Sequence, residues 1–171
     1  MMRKIFIPTY QIKTIYDLDP AKLKELGIEI VLSDLDNTLA SYKCKDAEER
    51  TIALVNRLKD NGIAFYIASN NTSKRVQRFA STLGIKALSG LRKPFSSRLK
   101  KMLVEEGLEK DKTVLVGDQV MTDVIAGNGA GIRTILTEKL VPEDPPWTRF
   151  NRLFEKGKRK IIARDKLSKK L

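Results

Sequence analysis

Short apolar runs rich in β-branched residues alternate, along most of this chain, with stretches whose apolar residues recur at helical spacing. The runs are Ile28–Leu32, Ala64–Ala68, Thr113–Val116 and Arg133–Leu136, with Ile85–Leu88 a shorter one. A strand covered on both faces reads as a continuous apolar run, so these segments predict a parallel sheet. Between them, Ala47–Lys59 sets Ile52, Val55 and Leu58 on one face. Val76, Phe79, Ala80 and Leu83 follow the i, i+3, i+4, i+7 pattern up to Gly84, and Phe95, Leu99, Met102 and Leu103 repeat it up to Gly107. Strand–helix alternation with short links predicts an α/β fold with a doubly wound parallel sheet, which binds ligands at the carboxyl ends of its strands.

Composition removes several kinds of chemistry. The 171 residues suffice for one core without disulfide or metal staples. With no His, the chain has neither Ser-His-Asp nor Cys-His catalysis and no His-bearing zinc site. The single Cys44 allows no intrachain disulfide and leans towards a reducing compartment. No apolar run approaches the roughly 20 residues of a membrane span, and the apolar part of Met1–Pro8 is too short for a signal peptide. A cytoplasmic protein is expected.

Charge is concentrated at one end. Residues 139–171 carry 11 basic and 4 acidic side chains, +7 of the chain's net +12. Pro142, Pro145 and Pro146 mark an edge, so the reading divides the chain into a core over 1–140 and a basic tail over 141–171. In that tail Trp147, Phe150, Leu153, Phe154 and Ile161 recur at near-helical spacing beside Lys156-Gly157-Lys158-Arg159-Lys160. Such a stripe either docks on the core or lies at the inner face of an anionic membrane as a peripheral contact; nucleic acid is the other polyanion it would attract.

The segment richest in chemistry is Ser33-Asp34-Leu35-Asp36-Asn37-Thr38-Leu39, directly after the first long strand. Two carboxylates two residues apart at a strand's end are costly to hold together without a cation. Oxygen ligands of this kind suit Mg²⁺, which takes one or two carboxylates, waters and a substrate phosphate. One carboxylate can then attack phosphorus while the other moves a proton. Ser69 closes the next strand and could hold a phosphoryl oxygen; Lys93 precedes Pro94 at the start of the third helix; Gly117-Asp118-Gln119 follows the strand Thr113–Val116, with Asp123 five residues on. Each feature alone is explained by a cap or a surface charge. Together they follow successive strands and converge on one sheet edge.

Asp34-Leu35-Asp36-Asn37-Thr38, Ser69, Lys93 and Gly117-Asp118 through Asp123 resemble, in order, the four motifs of the haloacid dehalogenase (HAD) superfamily. The resemblance implies a Rossmann-like core over residues 1–140 and a phosphatase in which Asp34 is the nucleophile that takes the phosphoryl group. It implies Asp36 as general acid and then base, with its main-chain carbonyl on Mg²⁺. Asp34, Asp36 and Asp118 would hold the metal, with Asp123 supporting from outside. Thr38, Ser69, Asn70 and Lys93 would bind phosphate, and Lys93 would also stabilise the phosphoenzyme. The Asp at position 36 is the feature of the family's phosphatases, since its ATPases carry Thr there and its dehalogenases lack the Asp.

Spacing bears on the substrate. Asp36 to Ser69 leaves room for one helix and one strand, and Ser69 to Lys93 for one helix and a short strand, so neither place holds a cap domain. An uncovered site excludes water poorly, which favours a bulky phosphorylated substrate, such as a lipid phosphate or a macromolecule, or a second subunit as cover. The lead-in Pro8-Thr9-Tyr10 through Ile15-Tyr16-Asp17-Leu18-Asp19-Pro20, with Gly117 to Asp123, resembles a small capless bacterial group related to mitochondrial phosphatidylglycerophosphate phosphatase, which implies an anionic lipid substrate. The rival reading is a HAD-like binding module with vestigial activity, its basic tail on RNA, a ribosome or a membrane. Cys44 and Arg50 mimic a cysteine-phosphatase spacing, but three of the five residues between them are acidic. Gly127-Asn128-Gly129-Ala130-Gly131 follows a predicted helix rather than a strand and reads as a helix stop and turn.

Overall fold

The structure is a computed structural model, and it describes residues 5–72, 74–141, 157, 159, 162 and 169–171. Among the described residues, seven strands form one parallel sheet: β1 (Tyr10–Gln11), β2 (Ile30–Ser33), β3 (Ala64–Ala68), β4 (Lys86–Leu88), β5 (Thr113–Gly117), β6 (Arg133–Leu136) and β7 (Lys169–Lys170). Their order across the sheet is β4-β3-β2-β5-β6-β1-β7. Helices α1 (Pro20–Glu25), α2 (Glu49–Asp60), α3 (Lys74–Thr82), α4 (Ser97–Glu105) and α5 (Ile125–Ala130) make the connections. The expected doubly wound α/β fold is therefore present, and no cap domain interrupts β2–β3 or β3–β4.

Sequence explains why the sheet is covered twice. In β2, Val31 faces a core shared with Leu54, Val55 and Leu58 of α2 and with Val76, Phe79 and Ala80 of α3. Its neighbour Leu32 faces the opposite core, with Leu99 and Leu103 of α4 and Ala126 and Ala130 of α5. Successive side chains of a strand point to opposite faces, so a continuous apolar run demands helices on both sides. Phe79 is fully buried, and truncating such a ring to Ala costs about 3–5 kcal/mol.

The chain leaves β2 to build β3 and β4 on one side, then returns to place β5 on the other. A crevice opens where strand order reverses, and ligands of such sheets bind there. Ser33 lies opposite Val116 in the β2–β5 register, and Asp34 N–H donates to Val116 O at 2.8 Å. Asp34 and Asp118 thus emerge side by side at this reversal.

Several local expectations are corrected. The buried stripe of α2 is Thr51, Leu54, Val55 and Leu58, whereas Ile52 is 39% exposed. Ile52 sits one residue, about 100° of rotation, from Thr51 on that stripe. Helix α4 begins at Ser97, so Phe95 lies outside it and is 71% exposed. The chain instead turns over Arg92–Phe95, with Phe95 N–H on Arg92 O at 3.0 Å, which puts Lys93 in the turn rather than at the helix start. Val120–Val124 form a π-helical turn that runs into α5. Gly127 and Gly129 belong to α5, and only Gly131, with φ +80°, is the stop. Gly127 is required for contact instead, since a Cβ there would lie 2.3 Å from Thr134 Cγ2.

The two-residue strands β1 and β7 were not expected from the sequence. Within 141–171, Lys169–Lys170 pair with β1, and Ile162 is buried against Val120, Val124 and Leu136. The aromatic stripe Trp147, Phe150, Leu153, Phe154 and Ile161 lies outside the described residues. No helix among the described residues is long and apolar enough to cross a membrane.

Candidate active site

Of the loops that leave the carboxyl edge of the sheet, four carry the side chains singled out above. Asp34 follows β2, Ser69 and Asn70 follow β3, Lys93 follows β4, and Asp118 follows β5. Lys93 is the junction. Its ammonium donates to Asp34 Oδ1 at 2.8 Å, to Ala68 O at 2.8 Å and to Asp123 Oδ1 at 2.7 Å. Its side chain is 2% exposed, against 14% for Asp34 and 3% for Asp123. All three hydrogens of the ammonium therefore have acceptors, as a buried lysine requires.

The loop after β3 holds Lys93 by its backbone. Lys93 N–H donates to Asn70 Oδ1 at 2.6 Å, and Asn70 Nδ2 donates back to Lys93 O at 2.9 Å. Asn70, expected at the phosphate, is thus occupied in fixing Lys93. Ser69 is buried and its hydroxyl accepts from Asn71 N–H at 3.1 Å. Thr38, also expected at the phosphate, is buried and donates to Asp118 Oδ1 at 3.2 Å.

Asp34, Asp118 and Asp123 each offer an oxygen, and these lie within 4.8 Å of one another. Asp123 is oriented by Lys93 and by Gln119 N–H, which donates to its Oδ2 at 3.1 Å. This packing explains Gly117: a Cβ there would stand 2.2 Å from Asp123 Cγ. Burial raises the Asp34 carboxyl strongly; Lys93 opposes the rise while Asp123 and Asp118 add to it, leaving it pushed up to about 8. For Lys93, burial pulls the ammonium down, but Asp123 and Asp34 outweigh it and hold the group above the ordinary lysine range.

Three clustered carboxylates, two of them bridged by one ammonium, leave an excess of negative charge among hard oxygen donors. That donor set suits a small divalent cation, and Mg²⁺ is the common ion that prefers it. The Asp36 side chain lies apart from this trio, and its Oδ1 accepts from Arg75 Nη1 at 2.8 Å. Any role of Asp36 towards a cation falls to its main-chain carbonyl, as the sequence resemblance has it.

Two arginines near the site escaped sequence reasoning. Arg75, on α3, pairs with Asp36; Arg159 donates to the main-chain oxygens of Asp118 and Thr137. Nothing in a linear sequence separates either from the other surface cations of this basic chain. Tyr16, in a one-turn helix before α1, was noted only as part of the lead-in. Its hydroxyl donates to Leu39 O at 2.7 Å and meets Thr51 Oγ1 at 2.9 Å, pinning the loop after β2 to α2.

Comparison with known proteins agrees with this layout. Residues 10–131 match the haloacid dehalogenase-like hydrolase family. The chain is 37% identical over 156 residues to the probable phosphatase YqeG of Bacillus subtilis strain 168, covering 91% of each protein. It is 26% identical over 159 residues to the chloroplastic/mitochondrial phosphatidylglycerophosphate phosphatase 1 of Arabidopsis thaliana, covering 85% of this chain and 44% of the plant protein. The cobalt-bound deoxy-D-mannose-octulosonate 8-phosphate phosphatase YrbI of Haemophilus influenzae shares the fold, with a TM-score of 0.53 and 19% identity over 83% of this chain and 92% of that one.

Proposed function

The chain belongs to the haloacid dehalogenase-like hydrolases and is a phosphatase of that family, and from this premise we propose that it hydrolyses phosphomonoesters by way of a phosphoryl group carried on Asp34, with Mg²⁺ as its cation. The observation that supports this reading best is the Lys93 ammonium bridging Asp34 and Asp123 at the sheet reversal, 2.8 and 2.7 Å from their oxygens. That contact keeps one oxygen of Asp34 oriented while the carboxylate attacks.

Each chain group then has a task. An Asp34 oxygen attacks phosphorus, and the bond from phosphorus to the ester oxygen breaks. Asp36 gives its proton to the departing oxygen, releasing the alcohol. Water next attacks the phosphorus of the aspartyl-phosphate, Asp36 takes back a proton, and inorganic phosphate leaves with Asp34 restored. Lys93, Ser69 and backbone N–H groups of the loop after β3 face the charge that develops on the phosphoryl oxygens. Asp34, Asp118 and the Asp36 carbonyl would hold Mg²⁺, with Asp123 beside them. When bound, Mg²⁺ draws negative charge from the phosphoryl group and keeps Asp34 ionised.

A large substrate suits a site without a cap, and an anionic lipid phosphate is the class we favour. Three features support it: Phe95 stands 71% exposed two residues from Lys93, Arg92 beside it is exposed, and the 141–171 segment is strongly basic. The plant relative, by its name, acts on phosphatidylglycerophosphate.

Hydrolysis of p-nitrophenyl phosphate with Mg²⁺ tests the chemistry. Asp34→Asn should lose at least about 10³-fold in kcat; equal rates in the variant and the parent would remove the reading. For the substrate class, a lipid phosphomonoester in anionic vesicles should be preferred over its short-chain soluble analogue. Indifference between them would reject the lipid.

A further inference from the structure

Arg75 stands near the site, and the reaction above does not use it. It lies in the first turn of α3, and its guanidinium reaches across to the segment that leaves β2. Nη1 donates to Asp36 Oδ1 at 2.8 Å, Nε to Cys44 O at 2.8 Å and Nη2 to Ser41 O at 3.0 Å. All three acceptors belong to nine consecutive residues, Asp36 to Cys44, which contain no helix and only an isolated bridge between Asp36 and Ala40. Arg75 therefore ties the loop after β2 to the helix that follows Ser69 and Asn70.

We infer that Arg75 is a positioning residue that acts through Asp36: it fixes the carboxylate that moves the proton, and with it the whole segment to Cys44. The inference rests on the proposed role of Asp36. Proton transfer to a leaving oxygen needs a donor within hydrogen-bond reach, and a displacement of about 1 Å costs on the order of 10²-fold. Asp36 begins a loop, where strand packing does not restrain its side chain. A guanidinium is a rigid planar fork, so three bonds to three acceptors hold one geometry. Among the described residues the guanidinium occupies Oδ1, which leaves Oδ2 for the proton. The pair is 19% and 16% exposed, a setting between those of surface and buried ion pairs. Its consequence lies in geometry, and it steadies a segment that no cap domain covers.

The test uses two esters whose leaving groups differ in need of a proton. p-Nitrophenolate leaves unassisted, whereas an alkoxide from ethyl phosphate does not. Because kcat/KM reports steps up to departure of the leaving group, it isolates proton donation from the later attack of water. Full-length Arg75→Met should lose at least about tenfold more kcat/KM on ethyl phosphate than on p-nitrophenyl phosphate, with the melting midpoint lowered by only a few degrees. Arg75→Lys should recover part of the difference, since one ammonium can hold Asp36 but not the full fork. Placed on Asp36→Asn, the Arg75→Met change should add no further selectivity. Equal losses on both esters, or additive losses in the double variant, would overturn the inference. If Asp36→Asn by itself spares ethyl phosphate hydrolysis, the proton role of Asp36 fails instead, and that outcome is read separately.

Discussion

Two charge arrangements meet at the carboxyl edge of the sheet, and they are built in opposite ways. The inner one gathers Asp34, Asp118 and Asp123 beside Lys93; Lys93, Asp118 and Asp123 are buried, Asp34 is 14% exposed, and the lysine has every hydrogen engaged. The outer one, Asp36 with Arg75, is partly exposed and depends on one fork from a neighbouring helix. Removing a partner from a fully buried group leaves an uncompensated charge, while a pair that water still reaches can be partly rehydrated when it is broken. The inner arrangement should therefore govern stability and chemistry together, and the outer one chemistry far more than stability. A nucleophile benefits from rigidity, whereas a group that serves as acid and then as base must meet two different oxygens in turn.

Removal of the inner cation should break that comparison most visibly. Lys93→Ala should cost about 3–5 kcal/mol of stability, read by denaturant unfolding with a chelator present, and Mg²⁺ should restore part of it. Arg75→Met, by contrast, should stay within about 1 kcal/mol in the same assay. Next comes Gly117→Ala, whose Cβ would stand 2.2 Å from Asp123 Cγ. That clash should destabilise the protein by about 1–3 kcal/mol and lower turnover by displacing Asp123. A milder change, Thr38→Val, removes the 3.2 Å bond to Asp118 and should weaken Mg²⁺ binding by about tenfold, measured by calorimetry. Smallest of all, Arg78→Ala deletes an exposed ion pair with Asp46 and should leave the unfolding midpoint and turnover unchanged. A large effect there would show that exposed charges matter more than the contrast allows.

Much of the fold was legible because period and burial coincide. The runs that became β2, β3, β5 and β6 are apolar on both faces, and Val76, Phe79 and Ala80 mark α3 without ambiguity. β1 and β7 gave no signal, because two-residue strands owe their existence to the neighbour they pair with. Phe95 misled because its spacing to Leu99 is helical, although Pro94 beside it favours a turn. Of the candidate site, Asp34, Lys93, Asp118 and Asp123 were readable from order along the chain and position after strands. What could not be read is which polar group meets which. Asn70 holds Lys93, Thr38 holds Asp118, and Arg75 holds Asp36 across 39 positions of sequence separation. A basic residue on a helix is by default solvated, so only the packing of α3 against the loop after β2 identifies Arg75.

The most direct test of the central claim is chemical trapping of the phosphoryl group. Asp36→Asn protein, mixed with p-nitrophenyl phosphate and Mg²⁺ and quenched into borohydride, should carry homoserine at position 34, since an aspartyl-phosphate is reduced where a free carboxylate is not. Homoserine at any other aspartate, or at none while nitrophenol is released, would contradict the account.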